Sequence, residues 1–260
     1  MKICCCQLNI IWEDKNANYA AVRQLLCSDK PHAGSLMLLP EMFATGFSMN
    51  VSGIAEDRIN GSTSRFLAEC AKEFSVFMAG GFVSLGPDGK GRNELAVFDP
   101  DGMRVCDYTK IHPFSYGEES RHYSGGSQIR SFAWAGATVS PFICYDLRFP
   151  EIFRIATREG AKILVVIANW PQAREMHWLT LLRARAIENQ CYVAGVNRVG
   201  QDPNVEYSGR SLIIDPRGEI IADAGNEQRI ISAEIDLSSL HDYRRHFPAL
   251  NDMRQEFLGP

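Results

Sequence analysis

Val139-Ser140-Pro141-Phe142-Ile143-Cys144-Tyr145-Asp146-Leu147-Arg148-Phe149-Pro150-Glu151 passes from an apolar run, through one thiol, to a polar segment and then a helical pattern. An apolar run of this length reads as a strand buried on both faces. Residues 149–159 read as a helix closed by Gly160. The thiol therefore stands at the C-terminal end of a buried strand, beside a turn. Two other stretches have the same build: Leu36-Met37-Leu38-Leu39-Pro40 delivers Glu41, and a strand-like Met103 to Tyr108 leads to Lys110. A nucleophile, a carboxylate and an ammonium delivered in this way are the parts needed to open an amide through a thioester.

Each residue also has a plainer reading. A cysteine in an apolar strand is commonly inert core. Against that, the turn after Cys144 supplies backbone N–H groups that favour a thiolate, and the Tyr145 N–H is the simplest oxyanion donor. Glu41 is either half of a structural ion pair or a general base. Lys110 is either solvated or a buried ammonium, and Ile111-His112-Pro113-Phe114 is too apolar a neighbourhood for a casual surface loop. His112, His122 and His177 would suit a Cys/His pair of the papain kind, but no local signature around Cys144 supports one. In Cys4-Cys5-Cys6, successive side chains of a strand point to opposite faces, so three in a row do not readily chelate one ion. No metal is expected.

The chain has 260 residues, a formal net charge of −4 and 45% hydrophobic residues. That suits one α/β domain over 1–260 with a core that needs no disulfides, the last ~20 residues forming a polar tail or a subunit contact. A mildly acidic chain without a Lys/Arg block excludes a phosphate-backbone partner, so no nucleic acid is expected. No run approaches the ~18 apolar residues of a membrane span. The short apolar start is interrupted by Gln7, Asn9, Glu13 and Asp14, so no signal peptide is expected. Eight cysteines without framework spacing suit a reducing compartment, and a cytoplasmic location is expected.

Lys2 to Ile10, 35–39, Val76 to Val83, Lys162 to Ala168, 191–197 and Arg229 to Ile235 read as strands. Helices are expected after Asp14 and Gly61-Ser62 and over 176–189, the last burying Trp178, Leu181 and Leu182. Two hairpins share a turn, Asp99-Pro100-Asp101-Gly102 and Asp215-Pro216-Arg217-Gly218. Alternating strands and helices with antiparallel hairpins predict mixed sheets, and the duplicated turn hints at two similar halves.

Leu39-Pro40-Glu41-Met42-Phe43, Tyr108-Thr109-Lys110-Ile111-His112 and Cys144 to Glu151 resemble, in order and spacing, the three motifs of the nitrilase, or carbon–nitrogen hydrolase, superfamily. The resemblance runs from about residue 2 to residue 236. It implies a four-layer αββα sandwich, catalysis without cofactor or metal, and pairing of subunits into a homodimer or larger homo-oligomer. It implies Glu41 as base, Cys144 as nucleophile, and Lys110 with the Tyr145 N–H as oxyanion holders. A second active-site glutamate follows the lysine in the family. Glu119 matches it best, because Tyr123-Ser124-Gly125-Gly126 aligns with the family's Tyr-x-x-Gly, with Glu118 as the alternative.

Within the superfamily, Pro40 to Met49, Asn169-Trp170-Pro171-Gln172-Ala173-Arg174, His177-Trp178, Ala184 to Gln190 and Val196-Asn197-Arg198-Val199-Gly200 look like the omega-amidase branch. That branch removes the terminal amide of 2-oxoglutaramate and 2-oxosuccinamate. Other branches (a carbamoylase, an aliphatic amidase, a true nitrilase) are the nearest alternatives, and a catalytically inactive binding protein is the alternative of another class. A small acid amide needs a partner for its far carboxylate, and Arg matches it best. Arg174 is the first candidate and Arg148 the second, and Phe43 and Trp170, inside the matching segments, are also placed at the substrate. Arg210 stands after Tyr207-Ser208-Gly209 where many relatives carry Asp, and it could alter the pocket rim.

Overall fold

The computed structural model describes residues 1–257. Two six-stranded mixed sheets organise it. The first runs β14 (Arg229–Glu234), β1 (Lys2–Gln7), β2 (Leu36–Leu38), β3 (Phe77–Leu85), β4 (Gly91–Phe98) and β5 (Arg104–Thr109). The second runs β13 (Ile220–Asp223), β12 (Leu212–Ile214), β9 (Tyr192–Asn197), β8 (Ile163–Ala168), β7 (Ala137–Ile143) and β6 (Phe132–Trp134). Each is the same arrangement: three parallel strands, an antiparallel strand on one side and an antiparallel hairpin on the other. The halves suggested by the duplicated turn are therefore real repeats of topology.

The two turns are built alike. Asp99 Oδ1 accepts the N–H groups of Asp101 and Met103, and Asp215 Oδ1 those of Arg217 and Glu219. Gly102 and Gly218 close them at φ +71° and +88°, values an L side chain rarely adopts.

Helices α1 (Lys15–Ser28) and α3 (Ser62–Phe74) cover the outer face of the first sheet. Asp14 caps α1 by accepting the Ala17 N–H. Val22, Leu26, Phe66, Leu67 and Phe74 pack there on Cys4, Cys6, Met37, Leu39 and Met78. The alternate residues Ile3, Cys5, Leu36 and Leu38 enter the larger core shared with the second sheet, so the three adjacent cysteines divide between two cores. Helices α5 (Pro150–Arg158) and α6 (Glu175–Asn189) complete the outer layer of the second sheet through Phe153, Ala156, Trp178, Leu182 and Ala186. Leu181 is only half-buried.

Part of the expected tail is a helix, α7 (Leu237–His246), capped by Asp236. It lies against the subunit: Leu240 is buried, and the Arg244 guanidinium donates to the carbonyls of Gln190 and Ala161. One buried leucine in an otherwise polar segment leaves almost no periodicity to read. The last residues of that tail, 258–260, lie outside the described residues. Single turns α2 (Val51–Ile54) and α4 (Glu119–His122) and the separate hairpin β10 (Val199–Gln201)–β11 (Glu206–Ser208) complete the elements used below. Among the described residues, no helix is long and apolar enough to cross a membrane.

Candidate active site

The parallel strands of both sheets deliver polar residues at their C-terminal ends, where open α/β sheets place their ligands. Glu41 follows β2, Cys144 follows β7 and Asn169 follows β8, while Lys110 follows the antiparallel β5. Glu41 and Glu119 are fully buried and Lys110 is 1% exposed. Lys110 Nζ donates to Glu41 Oε1 at 2.9 Å and to Glu119 Oε2 at 2.9 Å. Asn93 Nδ2, on β4, donates to the same two carboxylates at 2.7 and 2.9 Å. The Asn169 N–H donates to Glu41 Oε2 at 2.8 Å, and its side-chain amide to the Glu41 carbonyl at 2.7 Å. Glu119 Oε2 also accepts the Phe114 N–H at 2.5 Å. Three charges thus sit out of water with their hydrogen bonds made, the condition under which buried ions are tolerated.

Gly81 on β3 makes room for this. A Cβ there would stand 2.5 Å from the Met42 nitrogen and 2.7 Å from Glu41 Cα. Backbone would have to move, so only glycine lets β3 pass beneath the carboxylate.

Cys144 adopts φ +47°, a left-handed backbone that costs an L-residue roughly 1–2 kcal/mol. Asp146 holds the turn in place. Its Oδ2 accepts the Ile143 N–H at 3.1 Å and the Tyr108 hydroxyl at 2.7 Å, and its Oδ1 accepts the His112 N–H at 2.9 Å. The strand leading to Lys110 and the turn carrying Cys144 are thereby locked together. The turn 144–148 is 3-10 helical, so the N–H of its second residue, Tyr145, belongs to the first turn, whose donors have no partner within the helix. Cys144 Sγ points towards the Asn169 carbonyl, 3.9 Å away.

Burial lowers the Lys110 ammonium, but the Glu119 and Glu41 carboxylates outweigh it and hold it well above its ordinary value. Burial, and after it the Glu41 carboxylate, push the Cys144 thiol well above its ordinary value, against the opposing pull of Lys110. The thiolate expected from the turn is therefore not favoured at rest: burial and Glu41 favour the neutral thiol, which needs a proton acceptor.

Cys144 opens into a cavity of about 720 Å³ walled by Trp12, Phe47, Phe114, Tyr145, Trp170 and Tyr207. Arg148 and Arg174 line it too. The Arg148 guanidinium lies 4.9 Å from the Trp170 ring centre and 3.1 Å from His177 Nδ1, and that of Arg174 lies 5.5 Å from the Phe114 ring centre. Among the described residues neither has a carboxylate partner.

The sequence-based candidates divide accordingly. Glu41, Lys110, Glu119 and Cys144 converge, while Glu118 is exposed and paired with Arg121. Trp170, Arg148 and Arg174 reach the cavity. Phe43 is corrected: it is buried in the outer core beside Tyr19 and Phe66. The chain turns at Met42, where φ is +43° and the carbonyl accepts the N–H groups of Thr45 and Gly46. That turn brings Phe47 to the cavity instead, its ring centre 5.3 Å from Lys110 Nζ. Arg210 pairs with Glu175 and Asp223 and does not line the cavity. No histidine among the described residues bonds Cys144: His112 engages Asp146 and stacks on Phe149, and His177 engages Arg148. Asn93 and the Asn169 amide were missed as site residues; Asn169 ends the apolar run Lys162 to Ala168 as Glu41 ends its own, whereas Asn93, between Arg92 and Glu94, carries no such signal.

The carbon–nitrogen hydrolase family model matches residues 2–245. The 2-oxoglutaramate amidase of Bacillus subtilis is 36% identical over 255 residues, covering 98% of each chain. The omega-amidase YafV of Escherichia coli K12 is 38% identical over 257 residues, covering 97% of this chain and 96% of its own. The crystal structure of XC1258 from Xanthomonas campestris, a CN-hydrolase superfamily protein with an arsenic adduct in the active site, is similar with TM-score 0.90 and 35% identity, over 98% of this chain and 97% of that one. The chain belongs to the carbon–nitrogen hydrolase family, and it is a hydrolase of carbon–nitrogen bonds.

Proposed function

We propose that the protein is an omega-amidase that releases ammonia from the terminal amide of a small 2-oxo acid, 2-oxoglutaramate or 2-oxosuccinamate, through a thioester on Cys144. Glu41 takes the thiol proton as Sγ attacks the amide carbon. Lys110 Nζ and the Tyr145 N–H hold the oxygen that becomes negative. Glu41 returns the proton to the leaving nitrogen as the C–N bond breaks, then takes one from water, whose attack frees the acid and the thiol. Glu119 fixes the lysine from its far side.

The observation that carries the choice of substrate is the pair of cavity guanidinium groups, Arg148 and Arg174, that lack a carboxylate partner. A desolvated carboxylate needs such a charge-assisted partner. The relatives named as omega-amidase and 2-oxoglutaramate amidase support the same choice. The test is ammonia release from 2-oxoglutaramate against an uncharged amide of equal length. The acid should be turned over far better, and Arg174→Leu should raise its KM while sparing the uncharged amide. Equal turnover of both amides would indicate a general aliphatic amidase.

We also place the protein in the cytoplasm as a homodimer. Its eight cysteines are free, which suits a reducing compartment. Met176, Ile187 and Phe247 stand exposed on the outer helices and the segment after them, apolar surface that a second subunit would cover. Sedimentation of the purified protein as a monomer at micromolar concentration would exclude the dimer.

A further inference from the structure

Asn93 is 2% exposed and belongs to none of the charged groups, yet it touches both carboxylates of the site. Its Nδ2 carries two hydrogens, and both are spent, one on Glu41 Oε1 at 2.7 Å and one on Glu119 Oε1 at 2.9 Å. Its Oδ1 is buried without a partner among the described residues. Asn169, Asn189 and Gln190 also leave a buried amide oxygen unpartnered among the described residues, so what sets Asn93 apart is where its two donors go. The side chain is turned so that both donors serve the carboxylates, at the expense of its own oxygen.

The consequence falls on Glu41. A carboxylate oxygen has two lone pairs, and Oε1 receives two close donors, Asn93 Nδ2 at 2.7 Å and Lys110 Nζ at 2.9 Å. Oε2 receives one close donor, the Asn169 N–H at 2.8 Å; the Asn169 amide nitrogen is 3.5 Å away and donates to the Glu41 carbonyl at 2.7 Å. One oxygen is closed and the other keeps a lone pair.

We infer that Asn93 is a positioning residue for proton transfer: with Lys110 it closes Oε1 of Glu41, so that Oε2 is the atom that takes the proton of Cys144. As the S–C bond forms, the thiol proton moves to Oε2. As the C–N bond breaks, it moves from Oε2 to the leaving nitrogen. In the second half a water proton moves to Oε2 as the C–O bond forms, and it returns to sulfur as the C–S bond breaks. This assignment rests on the reading of Glu41 as the base. Glu119, Lys110, Cys144, Tyr123 and Tyr207 are the other titratable groups whose charges act at this cluster.

The test is kcat and KM for 2-oxoglutaramate across pH in Asn93→Leu and Asn93→Asp, with Glu41→Gln alongside. In Asn93→Leu, kcat should fall roughly 10- to 100-fold, short of the loss on removing an acid–base group itself. KM should change by less than about threefold, because the contact is not with substrate. The acid limb of kcat should move to higher pH, since a carboxylate that loses a donor becomes more basic. The introduced carboxyl of Asn93→Asp can donate a hydrogen bond only when protonated. Its activity relative to wild type should therefore rise as pH falls. A kcat within threefold of wild type in Asn93→Leu, or a lowered kcat with an unmoved pH profile, overturns the inference. If Asn93→Leu does not fold, the low-pH recovery of Asn93→Asp decides alone, and its absence overturns the inference. Wild-type turnover in Glu41→Gln would instead remove the base reading on which it stands. An inactive Glu41→Gln beside a normal Asn93→Leu removes this inference and leaves that reading intact.

Discussion

Replacing Glu41 by Gln keeps the shape of the side chain and removes the proton acceptor. The glutamate oxygens face donors on both sides, Lys110 and Asn93 at Oε1 and the Asn169 N–H at Oε2. A glutamine must therefore turn its NH2 towards at least one donor, and the lost bond costs stability about 1–3 kcal/mol. Turnover should suffer more: a positioned acid–base group contributes about 10²–10⁴ in rate, or roughly 3–5 kcal/mol of barrier. The thiol should respond in the opposite sense. After burial, the Glu41 carboxylate is the largest influence raising Cys144, and Lys110 continues to lower it. Glu41→Gln should thus move thiol ionisation to lower pH while turnover collapses. Steady-state ammonia release, with the pH dependence of iodoacetamide alkylation at Cys144, reads both effects. Turnover within tenfold of wild type, or an alkylation curve displaced to higher pH, would refute the reasoning.

Lys110→Met leaves two buried carboxylates facing each other without their cation, which should cost about 3–5 kcal/mol of stability and abolish turnover; urea titration and ammonia release measure the two losses. Gly81→Ala should lower activity and melting temperature together, because its Cβ meets the backbone of Met42 and Glu41, whereas Ala at the open Gly89 should leave activity unchanged. Alkaline stability should be poor. Burial raises Cys4 to about 11 and Cys6, Cys70 and Cys106 to about 12 from an ordinary 9.0. A thiol raised on folding contributes stability that is intact below its unfolded value and is lost as pH rises towards the folded one. At pH 10 this amounts to roughly 1 to 2 kcal/mol per thiol and on the order of 5 kcal/mol for the four, comparable to the whole stability of many domains. The raised Lys110 ammonium adds a loss of the same sign above its ordinary 10.5. Thermal melts from pH 8 to 11 would show the decline, and a flat profile would contradict it.

Glu41 and Cys144 were legible because each follows an apolar run that reads as a buried strand, where an ionisable group at the end must be paired or working; Lys110 follows a more mixed, strand-like segment, and Glu119 was reached only through the family resemblance. The shared Asp-Pro-x-Gly turns carried the pseudo-repeat of the two sheets for a similar reason, since their chemistry is local. Asn93 was not legible, because its meaning lies in Glu41, 52 positions earlier in the chain. Phe43 was placed at the substrate, and Phe47 was not singled out, because the left-handed turn at Met42, which sends Phe43 to the core and Phe47 to the cavity, falls at a residue with no tendency to mark it. Helix α7 escaped notice because it is held by Arg244 reaching backbone carbonyls rather than by an apolar stripe.

The central claim is a covalent bond between substrate carbon and Cys144. Wild-type protein mixed with 2-oxoglutaramate and quenched in acid during turnover should carry a mass increase equal to the acyl group, confined on digestion to the peptide containing Cys144. Cys144→Ala should fold, show no adduct and release no ammonia. An adduct at any other residue, or ammonia release from Cys144→Ala at a rate comparable to wild type, would contradict the account.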